Sequence, residues 1–169
     1  MKKEEMTAEE KAIQKVLNKI MSEEMLAHML YMGCIVATCK CKAAVFEKLF
    51  VEIAEDELND HFINLKNWAV ANDFEVPFKM KDYIKYAPEC NKQLDKIKMY
   101  EDPLYYIDEA IKSEQFAIAS YEEVLQDTTN IPYELNAIML QNYYDELEHL
   151  DDLMIMKYAI EAGAELIQY

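Results

Sequence analysis

Glycine and proline are scarce in this chain, with two and four among 169 residues. A hairpin-rich β protein needs turn residues roughly every 8–12 positions, so that class is excluded, and long helices are what remains. Arginine is absent, and 17 lysines against 33 acidic residues leave a formal net charge of −16. That is the wrong sign for a protein that must hold a phosphate backbone, and metal cations are the more natural partners. No window reaches about 18 consecutive apolar residues, and the opening MKKEEMTAEEK lacks the apolar core of a secretory signal, so no membrane span is expected and the cytoplasm is the expected location. Cysteine is limited to Cys34, Cys39, Cys41 and Cys90, too few and too unevenly spread for a disulfide framework, so reduced thiols are expected. Cys39 and Cys41 have no matching second pair and read as thiols at a turn rather than a metal site.

What is present is helical periodicity on the scale of a single domain. Ile13, Val16, Leu17, Ile20, Met21, Leu26, Leu30, Tyr31 and Ile35 predict a helix over about 7–37, opened by a capping box in which Thr7 precedes Glu10 by three. Val45, Leu49, Ile53, Leu58, Phe62, Leu65 and Trp68 predict a second helix over about 43–72. A third stripe from Leu104 to Leu125 covers about 104–127. After Pro132, well placed in a first turn, a fourth runs over about 132–162 to a stop at Gly163. Three of the four prolines fall in 73–103, which can carry only short helical pieces. A segment that long suits a crossover along the full length of a bundle, about 35–40 Å. The expected fold is all-α: a four-helix bundle of two antiparallel hairpins, with helices two and three parallel.

Acids interrupt the apolar stripes. Glu114 is flanked at helical spacing by Ile107, Ala110, Ile111, Ile118, Tyr121 and Leu125, and Glu24 by Leu17, Ile20, Met21, Tyr31 and Ile35, so both point into the core. A buried unpaired carboxylate is costly and needs a cation or strong donors opposite it. Glu57 with His61, and Glu146 with His149, are the candidates for company. In an antiparallel hairpin, residues at one height have numbers that average to the turn. Glu24 and Glu57 average to 40.5 and Glu114 and Glu146 to 130, both inside the expected turns. The halves also repeat: Glu24 and Tyr31 recur 90 residues on as Glu114 and Tyr121, Glu57 recurs 89 on as Glu146, and His61 recurs 88 on as His149.

Four carboxylates and two imidazoles at one level suit two divalent transition metals, iron best, with carboxylates bridging and each histidine giving a neutral nitrogen. Tyr31 and Tyr121 would sit close to the metals and are the candidate catalytic side chains, although buried tyrosines are more often plain core. The eleven methionines read as core filling.

Here the chain resembles the ferritin-like superfamily, specifically the Dps-like miniferritin branch with a bacterioferritin-type di-iron site in each subunit. The resemblance rests on Glu24 with Tyr31, on EIAED followed by His61-Phe62 and Pro77, on APEC ending at Cys90, on EDP before helix three, on SEQFAIASYEEVL around Glu114, and on DELEH ending at His149. It implies Glu24, Glu57, His61, Glu114, Glu146 and His149 as ligands of two irons per subunit, with Mn or Zn as possible substitutes. It further implies a homo-oligomeric dodecameric cage, a ferroxidase that oxidises Fe(II) with peroxide or oxygen, iron storage and protection from oxidative stress.

Two departures stand out. The resemblance places a glutamate three before the helix-two histidine, where this chain has Leu58; Glu57 is four before. In a regular α-helix three residues turn about 300° and four about 400°, which puts Glu57 on the wrong side of His61 and predicts a half-site weakened, shifted or completed by His28. Cys90 matches one of a cysteine pair kept by some members, but Phe116 stands at the second position, so no redox disulfide joins them. DNA coating is not expected, because the N-terminal tail mixes lysines with glutamates and forms no basic arm. Other classes kept in view are a rubrerythrin-like peroxidase or oxygenase on the same bundle, and a non-catalytic bundle whose acids form hydrogen-bonded networks.

Overall fold

Thr7 and Glu10 open the first helix by exchanging bonds: the Glu10 amide donates to Thr7 Oγ1 at 3.1 Å and the Thr7 amide to Glu10 Oε2 at 2.7 Å. Amide donors that a helix start leaves without partners are thereby satisfied. The computed structural model of the chain describes residues 5–38, 44–99, 102–126 and 131–162. Its helices are α1 (Ala8–Thr38), α2 (Ala44–Asp56), a π-helical turn (Glu57–Phe62), α3 (Ile63–Ala71), α4 (Met80–Tyr86), α5 (Pro88–Leu94), α6 (Pro103–Gln126) and α7 (Tyr133–Glu161), with no strand among the described residues. Residues 39–43 and 127–130, hence Cys39, Cys41 and the turn midpoints, and the expected stop at Gly163 lie outside the described residues.

α2, the π turn and α3 follow one another without leaving helical backbone, since Asp56, Phe62 and Ile63 all keep right-handed helical angles. The rod ends at Asn72. Asp73 then takes a left-handed φ of 62°, and the Phe74 and Asp73 amides turn back to the carbonyls of Ala69 and Val70 at 2.9 and 3.3 Å. This is a Schellman closure, completed by Phe74 stacking on Trp68 with ring centroids 5.6 Å apart. The crossover carries two seven-residue helices, α4 and α5, against α1. The chain just after α5 packs so close to α1 that a Cβ at Gly33 would lie 3.8 Å from Ile97 and 3.9 Å from Leu94.

The apolar core is split in two. One cluster takes Leu17, Ile20 and Met21 from α1, Leu65 and Ala69 from α3, Tyr121 and Val124 from α6, and Leu135 and Met139 from α7. The other takes Leu30, Tyr31 and Cys34 from α1, Phe46, Phe50 and Ile53 from α2, Tyr106 and Ile107 from α6, and Leu153 from α7. Following residue numbers from one cluster to the other shows α1 antiparallel to the α2–α3 rod, α6 antiparallel to α7, and the α2–α3 rod parallel to α6. Between the clusters lies a layer that is buried yet polar: Glu24, Glu57, His61, Glu114, Glu146 and His149. By length and composition α1 could cross a membrane, but 61% of the stretch concerned is buried inside the bundle, so its apolar character is that of a core helix.

Candidate metal centre

Two helices supply one carboxylate each and two supply a carboxylate with an imidazole. Glu24, Glu57, His61 and Glu146 form one group whose ligand atoms all lie within 4.8 Å of one another; Glu57, Glu114, Glu146 and His149 form a second by the same measure. Glu57 and Glu146 belong to both. Around His61 Nδ1 lie Glu24 Oε2 at 3.3 Å, Glu57 Oε2 at 3.4 Å and Glu146 Oε1 at 3.3 Å. Around His149 Nδ1 lie Glu114 Oε2 and Glu146 Oε2, both at 3.7 Å. The imidazole centroids are 5.8 Å apart.

The π turn corrects the expectation about Glu57. A π-helix bonds each amide to the fifth residue back and holds roughly 4.4 residues per turn, so four residues sweep about 330°, near the 300° that three make in an α-helix. Inside Glu57–Phe62 a four-residue spacing therefore brings Glu57 and His61 to one face, as the three-residue spacing does for Glu146 and His149 in α7. The extra residue is also why the histidines repeat at 88 while the glutamates before them repeat at 89. His28 is not drawn in. Half-buried, its Nδ1 donates to the Ala54 carbonyl at 2.8 Å.

The tyrosines bridge the halves. Tyr31 donates to Glu114 Oε1 and Tyr121 to Glu24 Oε1, so each repeat's tyrosine holds the other repeat's glutamate and leaves that glutamate's second oxygen facing a histidine. Tyr121 also accepts from Asn142 Nδ2 at 2.9 Å. Burial, with the carboxylate beside each, pushes both phenols well above their ordinary range, so they act as proton-bearing donors.

Three further residues were not singled out from sequence. Asp56 Oδ2 lies 3.3 Å from His149 Nε2, and Asp145 Oδ2 lies 3.5 Å from His61 Nε2. Each is the residue before a shared glutamate, so the aspartate of one half faces the far nitrogen of the other half's histidine: Asp56 is hydrogen-bonded to His149, the usual support of a metal-bound imidazole, while Asp145 stands at ion-pair distance from a His61 Nε2 that has no hydrogen-bond partner. The sequence carries a signal for them, an Asp-Glu pair repeated 89 residues apart. Asn142, the third, is a polar residue in the α7 stripe, four before Glu146.

Charge in this layer is uneven. Burial and the neighbouring charge of Glu146 push Glu57 well above the carboxylate range and Glu114 up to about 8. Burial also works against ionisation of Glu146, but Glu114, His149 and His61 around it outweigh that and hold it well below. Burial opposes protonation of the imidazoles, yet the surrounding acids raise His61 well above its ordinary value, Asp145 and Glu146 most, and bring His149 to about 11, Glu114 and Glu146 most.

Hydrogen bonding alone does not satisfy this cluster. Both oxygens of Glu57 and of Glu146, Glu114 Oε2 and His149 Nδ1 are buried without a hydrogen-bond partner. Orphaned acceptors converging on one point are what a pair of divalent cations would satisfy, and carboxylate oxygens with imidazole nitrogens suit first-row transition metals. An acidic groove leads to the site from outside, a cavity of about 350 Å³ between α2 and α7 lined by Glu52, Glu55, Asp56, Asp145, Glu148 and Asp152, with His149 in its wall. Its charge concentrates cations.

The cysteines stand apart from this chemistry. Cys34 is buried and Cys90 half-buried, both as free thiols. Burial raises Cys34 to about 12 and Cys90 still further above its ordinary value. Phe116, at the expected second cysteine position, is 36% exposed.

No protein-family model and no curated protein matches the chain. Solved structures do. A dodecameric thioferritin, the bacterioferritin-related protein of Bacteroides fragilis, is similar at a TM-score of 0.75 with 22% identity, over 94% of this chain and 92% of that one. Ferritin from M. penetrans is similar at 0.73 with 16% identity, over 93% and 88%. A ferritin-like diiron-carboxylate protein from Bacillus anthracis str. Ames is similar at 0.68 with 19% identity, over 90% and 99%. The fold is the ferritin-like bundle.

Proposed function

We propose that the chain is a miniferritin: a ferroxidase-type oxidoreductase that takes Fe(II) as substrate at the paired glutamate and histidine layer and stores the oxidised iron. The observation that carries this reading is the pair of overlapping four-residue groups, each with one histidine, one glutamate of its own and two shared glutamates, buried where the bundle would otherwise be apolar. Glu24 with His61 would hold one metal, Glu114 with His149 the other, and Glu57 and Glu146 would bridge. Two Fe(II) together supply the two electrons that break the O–O bond of hydrogen peroxide, and two protons complete two waters.

The protein's own residues set the conditions for that exchange. Glu57 and Glu114, both biased toward their protonated forms, give up protons as cations arrive, so a charge that burial disfavours appears only when it is compensated. Asp56 keeps the His149 imidazole aimed inward, Asp145 faces His61 Nε2 at ion-pair distance, and the acidic groove beside His149 supplies a path for Fe(II). Assembly as a dodecamer is part of the proposal. It draws support from the dodecameric thioferritin of the same fold and from apolar side chains on one exposed face of α7: Tyr133, Leu140, Tyr144, Ile155 and Tyr158.

Aerobic Fe(II) titration of the metal-stripped protein, with and without peroxide, tests this. Expected are saturation of a fast phase near two irons per chain, then mineral growth in a particle of about twelve subunits by size exclusion. Oxidation no faster than in buffer, or a single tightly held metal, rejects the reading and leaves a non-catalytic bundle.

A further inference from the structure

Besides the extra residue of the π turn, the two halves of the site differ at the position four before each shared glutamate. Four positions before Glu57 stands Ile53, and four before Glu146 stands Asn142; both are 2% exposed and they occupy equivalent places in the repeat. Tyr31, on the Ile53 side, packs its ring 5.7 Å from Phe50, and its hydroxyl donates to Glu114 and accepts nothing among the described residues. Tyr121 donates to Glu24 and accepts from Asn142. A phenol has one proton. With Glu24 accepting that proton and the Asn142 amide taken up on the oxygen's free side, the Tyr121 hydroxyl is fixed from two directions, and so is the Glu24 oxygen that it holds.

The rest of the geometry is uneven in the same sense. Three carboxylate oxygens crowd His61 Nδ1 at 3.3–3.4 Å, whereas the two facing His149 Nδ1 stand at 3.7 Å, and His149 lines the acidic groove. We infer that Asn142 is a positioning residue which, through Tyr121, holds Glu24 ready to give a single oxygen, so that the Glu24 and His61 position takes a divalent metal first and more tightly than the Glu114 and His149 position. The inference rests on the two-metal reading above and adds an order of filling to it. The tight position stays occupied, and the looser one, next to the groove, exchanges.

Co(II) titration of the metal-stripped protein without oxygen, followed by visible absorbance and calorimetry, reads the order directly. The unaltered protein should take two Co(II) per chain in two steps whose dissociation constants differ by about tenfold or more. Asn142→Leu should weaken the first step by roughly tenfold to a hundredfold, the usual effect of removing a residue that supports a ligand, and bring the two steps together. Added to Tyr121→Phe, the same change should do nothing further, because its path runs through the missing hydroxyl; added to Tyr31→Phe, it should keep its full effect. If Asn142→Leu does not fold, Asn142→Ala carries the test, since it removes the donor without adding bulk or charge.

Equal affinities in the unaltered protein overturn the inference while leaving the two-metal reading intact. So do unchanged steps in Asn142→Leu, or additive effects with Tyr121→Phe. Absence of Co(II) binding in the unaltered protein overturns the two-metal reading, and the inference with it.

Discussion

Glu57 and Glu146 are shared by both groups, and Glu24 and Glu114 belong to one each. That difference separates the effects of neutral substitutions. Glu24→Gln should spare one of the two metals, while Glu57→Gln should weaken both, as measured by equilibrium dialysis against Zn(II). Without metal the order changes. Glu57 is already biased toward its neutral form by burial and by Glu146, so its neutral isostere should leave metal-free stability within about 1 kcal/mol of the parent, or raise it, by chemical denaturation. The residues most legible in the sequence were these acids, because a glutamate inside an apolar stripe violates the helical pattern. Asn142 was less legible: a lone polar residue in the α7 stripe has no partner in the repeat, where Ile53 stands, and its role appears only when Tyr121 is seen across the bundle. Asp56 and Asp145 were hidden for another reason, since an aspartate on an acidic helix reads as solvated until its partner on another helix is known.

At the scale of elements, the four long helices follow from apolar spacing, and the crossover and the parallel run of helix two with helix three from the prolines and length of 73–103. The π turn did not follow. Sequence spacing can be converted to direction only by assuming α-helical geometry, and Glu57–Phe62 is where that assumption fails. The repeat offset, slipping from 89 to 88 between Glu57 and His61, marks the place where one residue was accommodated. Deleting exposed Asn59 should therefore turn Glu57-x-x-x-His61 into the α7 spacing, keep two bound metals and give an unfolding midpoint no lower than the parent's. Deleting Leu49, inside the regular turns of α2, should rotate the rest of that helix out of register and abolish the fold. If the Asn59 deletion behaves like the Leu49 deletion, the π turn does not do what is assigned to it here. A second element-level expectation concerns Gly33, inside α1 and five residues before its end at Thr38. An added methyl meets Ile97 and Leu94 only at ordinary contact distance, so Gly33→Ala should gain the helix propensity of alanine, about 1 kcal/mol, and raise the melting temperature by roughly 2–4 °C in calorimetry.

For the whole molecule, the sign of the buried charges predicts how stability responds to pH. Burial raises Glu23 from 4.5 to about 7, and burial with the charge of Glu146 raises Glu114 from 4.5 to about 8. Groups shifted upward bind protons more tightly in the folded state, so their stabilising contribution is complete below about 4.5 and is lost as pH rises through 7 and 8. His149, raised from 6.5 to about 11, acts in the same direction: its contribution is complete below 6.5 and declines from there upward. Glu146 is shifted downward, so its contribution is present throughout this range and is lost only in stronger acid. A net charge of −16 adds self-repulsion that also grows with pH. The metal-free protein should therefore melt at a lower temperature at pH 8 than at pH 5, as scanning calorimetry in the presence of a chelator would show. Two equivalents of Zn(II) should reverse the slope, because a cation displaces protons from the same carboxylates and imidazoles and binds more tightly as pH rises. A metal-free protein more stable at pH 8 would mean that the polar layer is solvated rather than buried. A slope that Zn(II) leaves unreversed would mean that the titrating groups are not those that hold the metal.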